Sequence, residues 1–315
     1  MPHILTEFDG GVGIITIDRA ARFNSLDVAT AQDLRRAGLQ MARNDHVRAV
    51  ILRGSGSAFC SGADLKYIAA GGDHDDLAYL TAAREVPEGH GERFKQILEY
   101  LHSTISEIRR APKPFIAAVD GVAAAGGFGL AMSCDLVFAS PRATFEWAYG
   151  KTGLTGAESS TFLLPRLVGL RRSLELMLLN PRLTAEDAVA SGLVTGVFPQ
   201  DEFEERVLAV AKSLANGPTR AYGVAKALIN QAAGVDRIDF HLDQELQHLV
   251  RSANSVEFKE GLRAFFEKRP PDFTPPSSPL PDGERSEAPS ALPDGERSEA
   301  PCALPDSERS ETSHA

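Results

Sequence analysis

Cysteine is scarce in this sequence: there are three in 315 residues, Cys60, Cys134 and Cys302. They are too few and too scattered for a disulfide framework or a zinc site, which suits a reducing compartment. No apolar run approaches the roughly 18 residues needed to span a bilayer. Residues Met1 to Asp18 also lack the basic stretch and apolar segment of a secretory signal. Membrane insertion and secretion are therefore not expected, and the cytoplasm is the expected compartment. Positive charge is in short supply as well. The formal net charge is -10; ten acidic and three basic residues from Asp272 onward account for -7 of it, leaving -3 on the rest of the chain. That leaves no basic footprint for nucleic acid. Eight histidines are present, among them His74, His90 and His102, but they show neither metal-ligand spacing nor a motif pairing them with Ser or Cys. No metal site is expected.

With 43% hydrophobic and 24% charged residues, the chain can bury a full core. Its last forty or so residues are a separate matter. PLPDGERSEAPS, ALPDGERSEAPC and ALPDSERSET repeat at a period of twelve, with Pro281, Pro293 and Pro305 in register. Such polar repeats cannot bury enough surface to offset their ordering entropy, so residues 275–315 are expected to be disordered.

Upstream, short apolar runs alternate with helical stretches, as in an α/β domain. Strands are expected at Val12–Ile17, Val47–Arg53, Phe115–Val119 (after the break at Pro112 and Pro114) and Leu136–Ala139. Ser25 and Asp27 stand where caps would start a helix. Beyond Gly169 the spacing is helical: Leu170–Leu179, Ala185–Ala190, Glu204–Leu214, Thr219–Gln231, Phe240–Arg251 and Val256–Glu267. An insertion over Ala69–Arg110, with a long helix from about Glu92, reads as a lid or pocket wall.

Two segments carry chemistry. GSGSAFCSGADLK, Gly54–Lys66, follows a strand with small residues that let backbone N–H groups point out of the ladder; it also reads simply as a Gly/Ser loop ending in a helix cap at Asp64. VDGVAAAGGFGLAMSCDLVFAS, Val119–Ser140, places Gly126-Gly127 at the start of a short helix. The free N–H groups and positive dipole end there suit an oxygen on which negative charge grows. Close helix packing through Ala123, Ala124, Ala125 and Ala131 is the alternative.

Together with RAARFNSLD, LPRLVG, LTAEDAVASGLVTGVFP and EGLRAFFEKRPPDF, these segments resemble the crotonase superfamily, the enoyl-CoA hydratase/isomerase family, over most of Ile14–Phe273. The resemblance implies a ββα spiral over residues 1–200, a helical trimerisation region over 201–274, and assembly as a homotrimer or dimer of trimers. It implies an acyl-CoA thioester as substrate, with coenzyme A entering only as part of that substrate and no separate cofactor. By the same matching, the N–H groups of Ala63 and Gly126 polarise the thioester carbonyl and stabilise an enolate, each such donor being worth about 3 to 4 kcal/mol in the transition state. The coenzyme is expected to run past Arg22 and Phe23 and along Ala63, Asp64, Leu65 and Lys66, with Gly127 beside Gly126. Phe265 and Lys268 are expected to reach a neighbouring subunit's ligand.

The chain departs from hydratases of this family at both catalytic glutamates, whose positions match Gly129 and Tyr149. Tyr149 is a poor base but a good hydrogen-bond donor, and decarboxylating relatives carry tyrosine there. An acid does occur nine residues later, at Glu158, one place from where dienoyl-CoA isomerases and an aryl-CoA dehalogenase carry aspartate. Glu158 is the leading acid/base candidate, with capping of a helix that begins at Gly156–Glu158 as its bland alternative. Glu146 is a second candidate; Cys60 and Cys134 read as small buried thiols. The expected activity is an isomerase-type proton transfer through an enolate. Alternatives are decarboxylation or hydrolysis of a CoA thioester, and a catalytically inactive CoA-thioester-binding protein.

Because the repeats have no apolar face, truncation after Phe273 is expected to leave the melting temperature and coenzyme binding unchanged. A drop of several degrees in a thermal melt would show that the tail contributes to the fold.

Overall fold

Alternation along the strands decides how the layers form. In the computed structural model, which describes residues 3–72 and 89–274, β2 (Val12–Ile17), β3 (Ala49–Gly54) and β5 (Phe115–Val119) are buried on both faces. Ile15, Ile17, Val50, Leu52, Phe115, Ala117 and Val119 enter the main core, while Val12, Ile14, Ala49, Ile51, Ile116 and Ala118 enter a smaller second core. Near-continuous apolar runs are what a parallel sheet covered on both faces requires. The full sheet runs β1 (Ile4–Asp9), β2, β3, β5, β7 (Leu136–Ala139) and β10 (Gly196–Val197), antiparallel only between β1 and β2.

β3, β5 and β7 are each followed by a short strand that leaves for a second sheet. That sheet is ordered β4 (Ala58–Cys60), β6 (Val122–Ala124), β8 (Thr144–Glu146) and β9 (Leu183–Thr184). Its first three strands are parallel, with Cys60 opposite Ala123 and Ala124 opposite Glu146. A helix completes each repeat: α2 (Leu65–Ala69) and α3 (His90–Arg110) after β4, α4 (Gly126–Ser133) after β6, and α5 (Ser160–Leu179) after β8. The result is the ββα spiral expected of the family. The three-residue strands of the second sheet escaped the sequence reading because they are too short to show a period.

Helix starts follow local capping. Asp27 accepts the Thr30 N–H at 2.8 Å and opens α1 (Val28–Arg43); Asp64 accepts from Lys66 and Tyr67 and opens α2. α5 starts ten residues before the expected Leu170, and only a kink at Gly169 (φ 77°) marks that expected boundary. α6 (Ala185–Ala190) carries a full capping box between Thr184 and Asp187. The last helices are α7 (Phe203–Asn216), α8 (Thr219–Ala232), α9 (Ile238–Ala253) and α10 (Val256–Glu267). α7 covers the second core through Phe203, Val207, Ala211 and Ala215, whereas α9 packs against α3.

Met1–Phe273 is one compact unit, so residue 200 marks a change from strands to helices within it. The expectations for His74, for the first part of the insertion, for Cys302 and for the repeat tail lie outside the described residues. Among those residues, no helix is long and apolar enough to cross a membrane.

Candidate active site

Parallel strands of similar length end at the same level, so the segments leaving β4, β6 and β8 gather at one edge of the second sheet. After β4 the chain is tied to Leu26: the Leu26 N–H donates to Gly62 and the Asp64 N–H donates to Leu26, both at 2.9 Å. Alternation of extended backbone then turns the Ala63 N–H away from Leu26, and it donates to no acceptor among the described residues. After β6, Ala125 takes an unusual backbone geometry, φ 48° and ψ -119°, as it enters α4. A non-glycine residue there is strained and is held by the surrounding packing. The Gly126 N–H is the first of the free amides of α4. The two segments touch, since a Cβ on Gly62 would lie 3.0 Å from the Gly126 nitrogen. The two expected oxyanion donors are therefore neighbours.

Gly127 has another role. A Cβ there would meet the Cys60 carbonyl at 2.0 Å, so this glycine lets α4 pack onto the end of β4. The packing alternative holds for Gly127, while the Gly126 amide stays free.

Glu158 arrives from the third repeat, and helix capping by it is ruled out. The residue lies two places before α5, in left-handed backbone (φ 51°), with Ser159 in the same region (φ 61°). Its side chain is buried, and the carboxyl turns toward Gly126, where a Cβ would stand 2.8 Å from Glu158 Oε1. Tyr149 Oη contacts both Glu158 Oε2 and, at 3.1 Å, the Ala157 carbonyl. A Cβ on Gly129 would meet the Glu158 carbonyl at 2.4 Å and the Glu158 Cβ at 2.8 Å. Gly129 and the Glu158 turn therefore fill the space a glutamate at position 129 would need.

Burial pushes the Glu158 carboxyl up to about 8, opposed by the hydrogen bond from Tyr149 and reinforced by the negative charge of Glu245. Burial, then the Glu158 charge, raises the Tyr149 phenol well above its usual range, so Tyr149 keeps its proton as a donor. His102, on α3, accepts the Glu158 N–H on Nε2 at 3.3 Å and is pushed down to about 3 by burial, which fits a neutral ring. Glu245, on α9, accepts the N–H groups of Ser159 (2.8 Å) and Thr161 (3.0 Å), and it is this side chain that caps α5. Neither His102 nor Glu245 emerged from the sequence as a partner of the site. A signal existed for Glu245: a charge at a core position of α9, between the buried Leu242 and Leu249.

Glu146 is removed as a candidate. It is buried on β8 and faces Asn180 (3.1 Å), Arg182 (3.3 Å) and Lys151, away from Glu158. Cys60 is fully buried with its thiol pushed up to about 12 by burial, which leaves it inert as a nucleophile.

A groove of about 190 Å³ leads away from Ala63, lined by Arg22, Ser25, Leu65, Lys66 and Phe265. Phe265 of the same chain lines it, whereas Lys268 is exposed at the end of α10 and outside the lining. Asp64 is committed to structure: besides capping α2 it pairs with Arg19 and Arg22, each at 3.2 Å, and so holds the Arg22 guanidinium at the groove. Phe23 is exposed in left-handed backbone one residue on. A larger cavity of about 480 Å³ lies between the first sheet and α7, remote from Glu158. No group of side chains among the described residues has metal-binding geometry.

The model of the family described as enoyl-CoA hydratase/isomerase matches residues 7–276. The chain is 36% identical over 269 residues to a protein of Rhodobacter capsulatus named probable enoyl-CoA hydratase, covering 85% of this chain and 96% of that one. It is 33% identical to the 1,2-epoxyphenylacetyl-CoA isomerase of Escherichia coli, covering 87% and 99%. Among solved structures, an enoyl-CoA hydratase from Mycobacterium avium subsp. paratuberculosis superposes with a TM-score of 0.74 at 31% identity, covering 87% and 99%.

The raised Glu158 carboxyl has a consequence for stability. Its folded value of about 8 exceeds its ordinary 4.5, so the folded state binds the proton more tightly; the stabilisation is complete below the ordinary value and is lost as pH rises through about 8. Thermal melts of the wild type should fall across this window, and Glu158→Gln should lack that part of the fall. The His102 contribution is common to both and cancels in the difference. Parallel curves for the two proteins would place the Glu158 carboxyl in contact with solvent.

Proposed function

The chain belongs to the enoyl-CoA hydratase/isomerase family, and from that premise we propose that it isomerises an acyl-CoA thioester by a proton transfer through an enolate, with Glu158 as the acid/base. The thioester oxygen sits between the N–H groups of Ala63 and Gly126. Ionised Glu158 removes a proton from carbon next to, or conjugated with, the carbonyl; the C–H electron pair moves onto the oxygen as an enolate, and the protonated carboxyl returns the proton to another carbon. Atoms balance without a cofactor. Fixed backbone donors stabilise the enolate because they point at the oxygen before its charge develops. Arg22 and Lys66 line the groove and suit the coenzyme's phosphates.

The observation that carries this reading is the packing of the Glu158 carboxyl against Gly126, which brings a buried carboxyl, hydrogen-bonded by Tyr149, to the amide that would hold the oxygen. Hydration calls for two acid/base groups, and here Gly129 and Tyr149 stand where the resemblance places them. A single carboxyl that gives back the proton it takes suits isomerisation. The name of the Escherichia coli relative is compatible with an aryl-acetyl thioester.

Replacing Glu158 by Gln should lower turnover by roughly a hundredfold or more with coenzyme affinity nearly unchanged, since general acid–base help is worth about 10² to 10⁴ in rate. Tyr149→Phe should lose far less. Exchange of the α-protons of phenylacetyl-CoA with D2O, followed by NMR, reads the enolate step for both variants whatever reaction follows it. A fully active Glu158→Gln enzyme would end the assignment, and the reverse ranking of the two variants would favour decarboxylation.

Self-association forms part of the proposal. Leu170, Leu178 and Leu179 of α5, Leu228 and Ile229 of α8 and Phe240 of α9 are each more than 60% exposed in the single chain, more apolar surface than helices ordinarily leave in water. The expected state is a homotrimer or a dimer of trimers. Sedimentation at micromolar concentration checks it, and a monomer would contradict it.

A further inference from the structure

We propose that Glu245 is a positioning residue of this site: by clamping the first turn of α5 it holds the Glu158 carboxyl beside Gly126. The inference rests on the reading of Glu158 given above.

The turn before α5 needs holding. Glu158 and Ser159 occupy left-handed backbone one after the other, a region that residues with a Cβ avoid. A serine opening a helix ordinarily takes extended backbone and caps it with its own hydroxyl. Ser159 does neither, and its hydroxyl is buried with no partner among the described residues. The ordinary cap has been given up while the unusual turn is kept. This turn is the one that lays the Glu158 backbone against Gly129 and its carboxyl against Gly126.

Glu245 supplies what the turn lacks from 86 residues away in sequence. One oxygen accepts the Ser159 N–H at 2.8 Å; the other accepts the Thr161 N–H at 3.0 Å and the Thr161 hydroxyl. The side chain is 3% exposed and pairs with no lysine or arginine among the described residues. The nearest rings are His102, 4.0 Å away and accepting from Glu158, and His241, 3.8 Å away. A carboxylate in such a place is expensive to bury, and a neutral acceptor would cap a helix at less cost. Its charge also reaches Glu158, whose other titratable neighbours are Tyr149, His102 and Cys60. A negative neighbour favours the protonated form of Glu158. Glu245 therefore holds the acid/base in place and adds to the effect of burial in raising the pH at which it ionises.

The test uses the full-length protein and α-proton exchange of phenylacetyl-CoA with D2O, measured against pH. The kcat/KM profile reports the free enzyme, so its rising limb follows the ionisation of Glu158. Glu245→Gln should lower kcat by roughly tenfold to a hundredfold, the scale of a misplaced catalytic group, leave KM nearly unchanged, and move the rising limb to lower pH. Glu245→Asp keeps the charge with a shorter reach, so the limb should return toward that of the wild type while kcat stays low. Thr161→Val removes one link and no charge, so its limb should not move. A wild-type rate in Glu245→Gln, or a slower enzyme whose limb has not moved, would reduce Glu245 to an ordinary cap and overturn the inference. If Glu245→Gln does not fold, Glu245→Asp decides: reduced kcat at unchanged KM supports the inference and a wild-type rate overturns it. Glu158→Gln, run alongside, separates the two readings. An active Glu158→Gln enzyme ends the assignment of Glu158, whereas an inactive one beside a wild-type Glu245→Gln ends only the positioning role.

Discussion

The parallel pairing of three short strands, β4, β6 and β8, is the constraint on which the rest of the site depends. Each is three residues long and contributes little stability by itself, yet each ends within one residue of its neighbour because the parallel pairing holds them, across a bulge between Ala58 and Cys60. Ala63, Gly126 and Glu158 come from three successive repeats and are far apart in sequence. They meet because the spiral returns the chain to the same edge three times. The amides of the first two repeats are left free by local backbone geometry, and the third repeat brings the carboxyl.

A second constraint is mutual exclusion. The turn that carries Glu158 leans on Gly129, so a side chain at 129 and the observed turn at 158 cannot coexist. Glycine at 129 and the turn that carries Glu158 are two aspects of a single packing solution. Around that solution the polar groups are satisfied in a chain: His102 takes the Glu158 N–H, Tyr149 faces its carboxyl, and Glu245 takes the amides that follow. Buried polar networks of this kind fix one arrangement because leaving any member unpaired is costly. The long helices α3, in the first repeat, and α9, beyond the spiral, supply two of its members.

Much of this was legible in the residues. The apolar runs at Val12–Ile17 and Phe115–Val119, the caps at Asp27 and Asp64, and the opening of α4 at Gly126 follow from rules that act within a few positions. The helices after α5 followed from their spacing, with ends that match or are displaced by at most two residues. The sequence offered two starts for α5, one at Gly156–Glu158 and a helical window from Leu170, and it did not show that the capping group lies on α9. Of the two glycines at 126 and 127, the family matching named Gly126 as the donor, but the packing of Gly127 on Cys60 was not legible because it depends on an atom more than sixty residues away.

Composition and periodicity by themselves determined an α/β chain with an acid at 158, and the resemblance of its motifs to the enoyl-CoA hydratase/isomerase family implied the acyl-CoA-binding spiral. Only the tertiary structure decided what that acid is. Its role as a buried carboxyl beside Gly126 depends on two left-handed residues and on partners from α3 and α9. Those are long-range facts, set by the packing of segments whose sequences say nothing of one another.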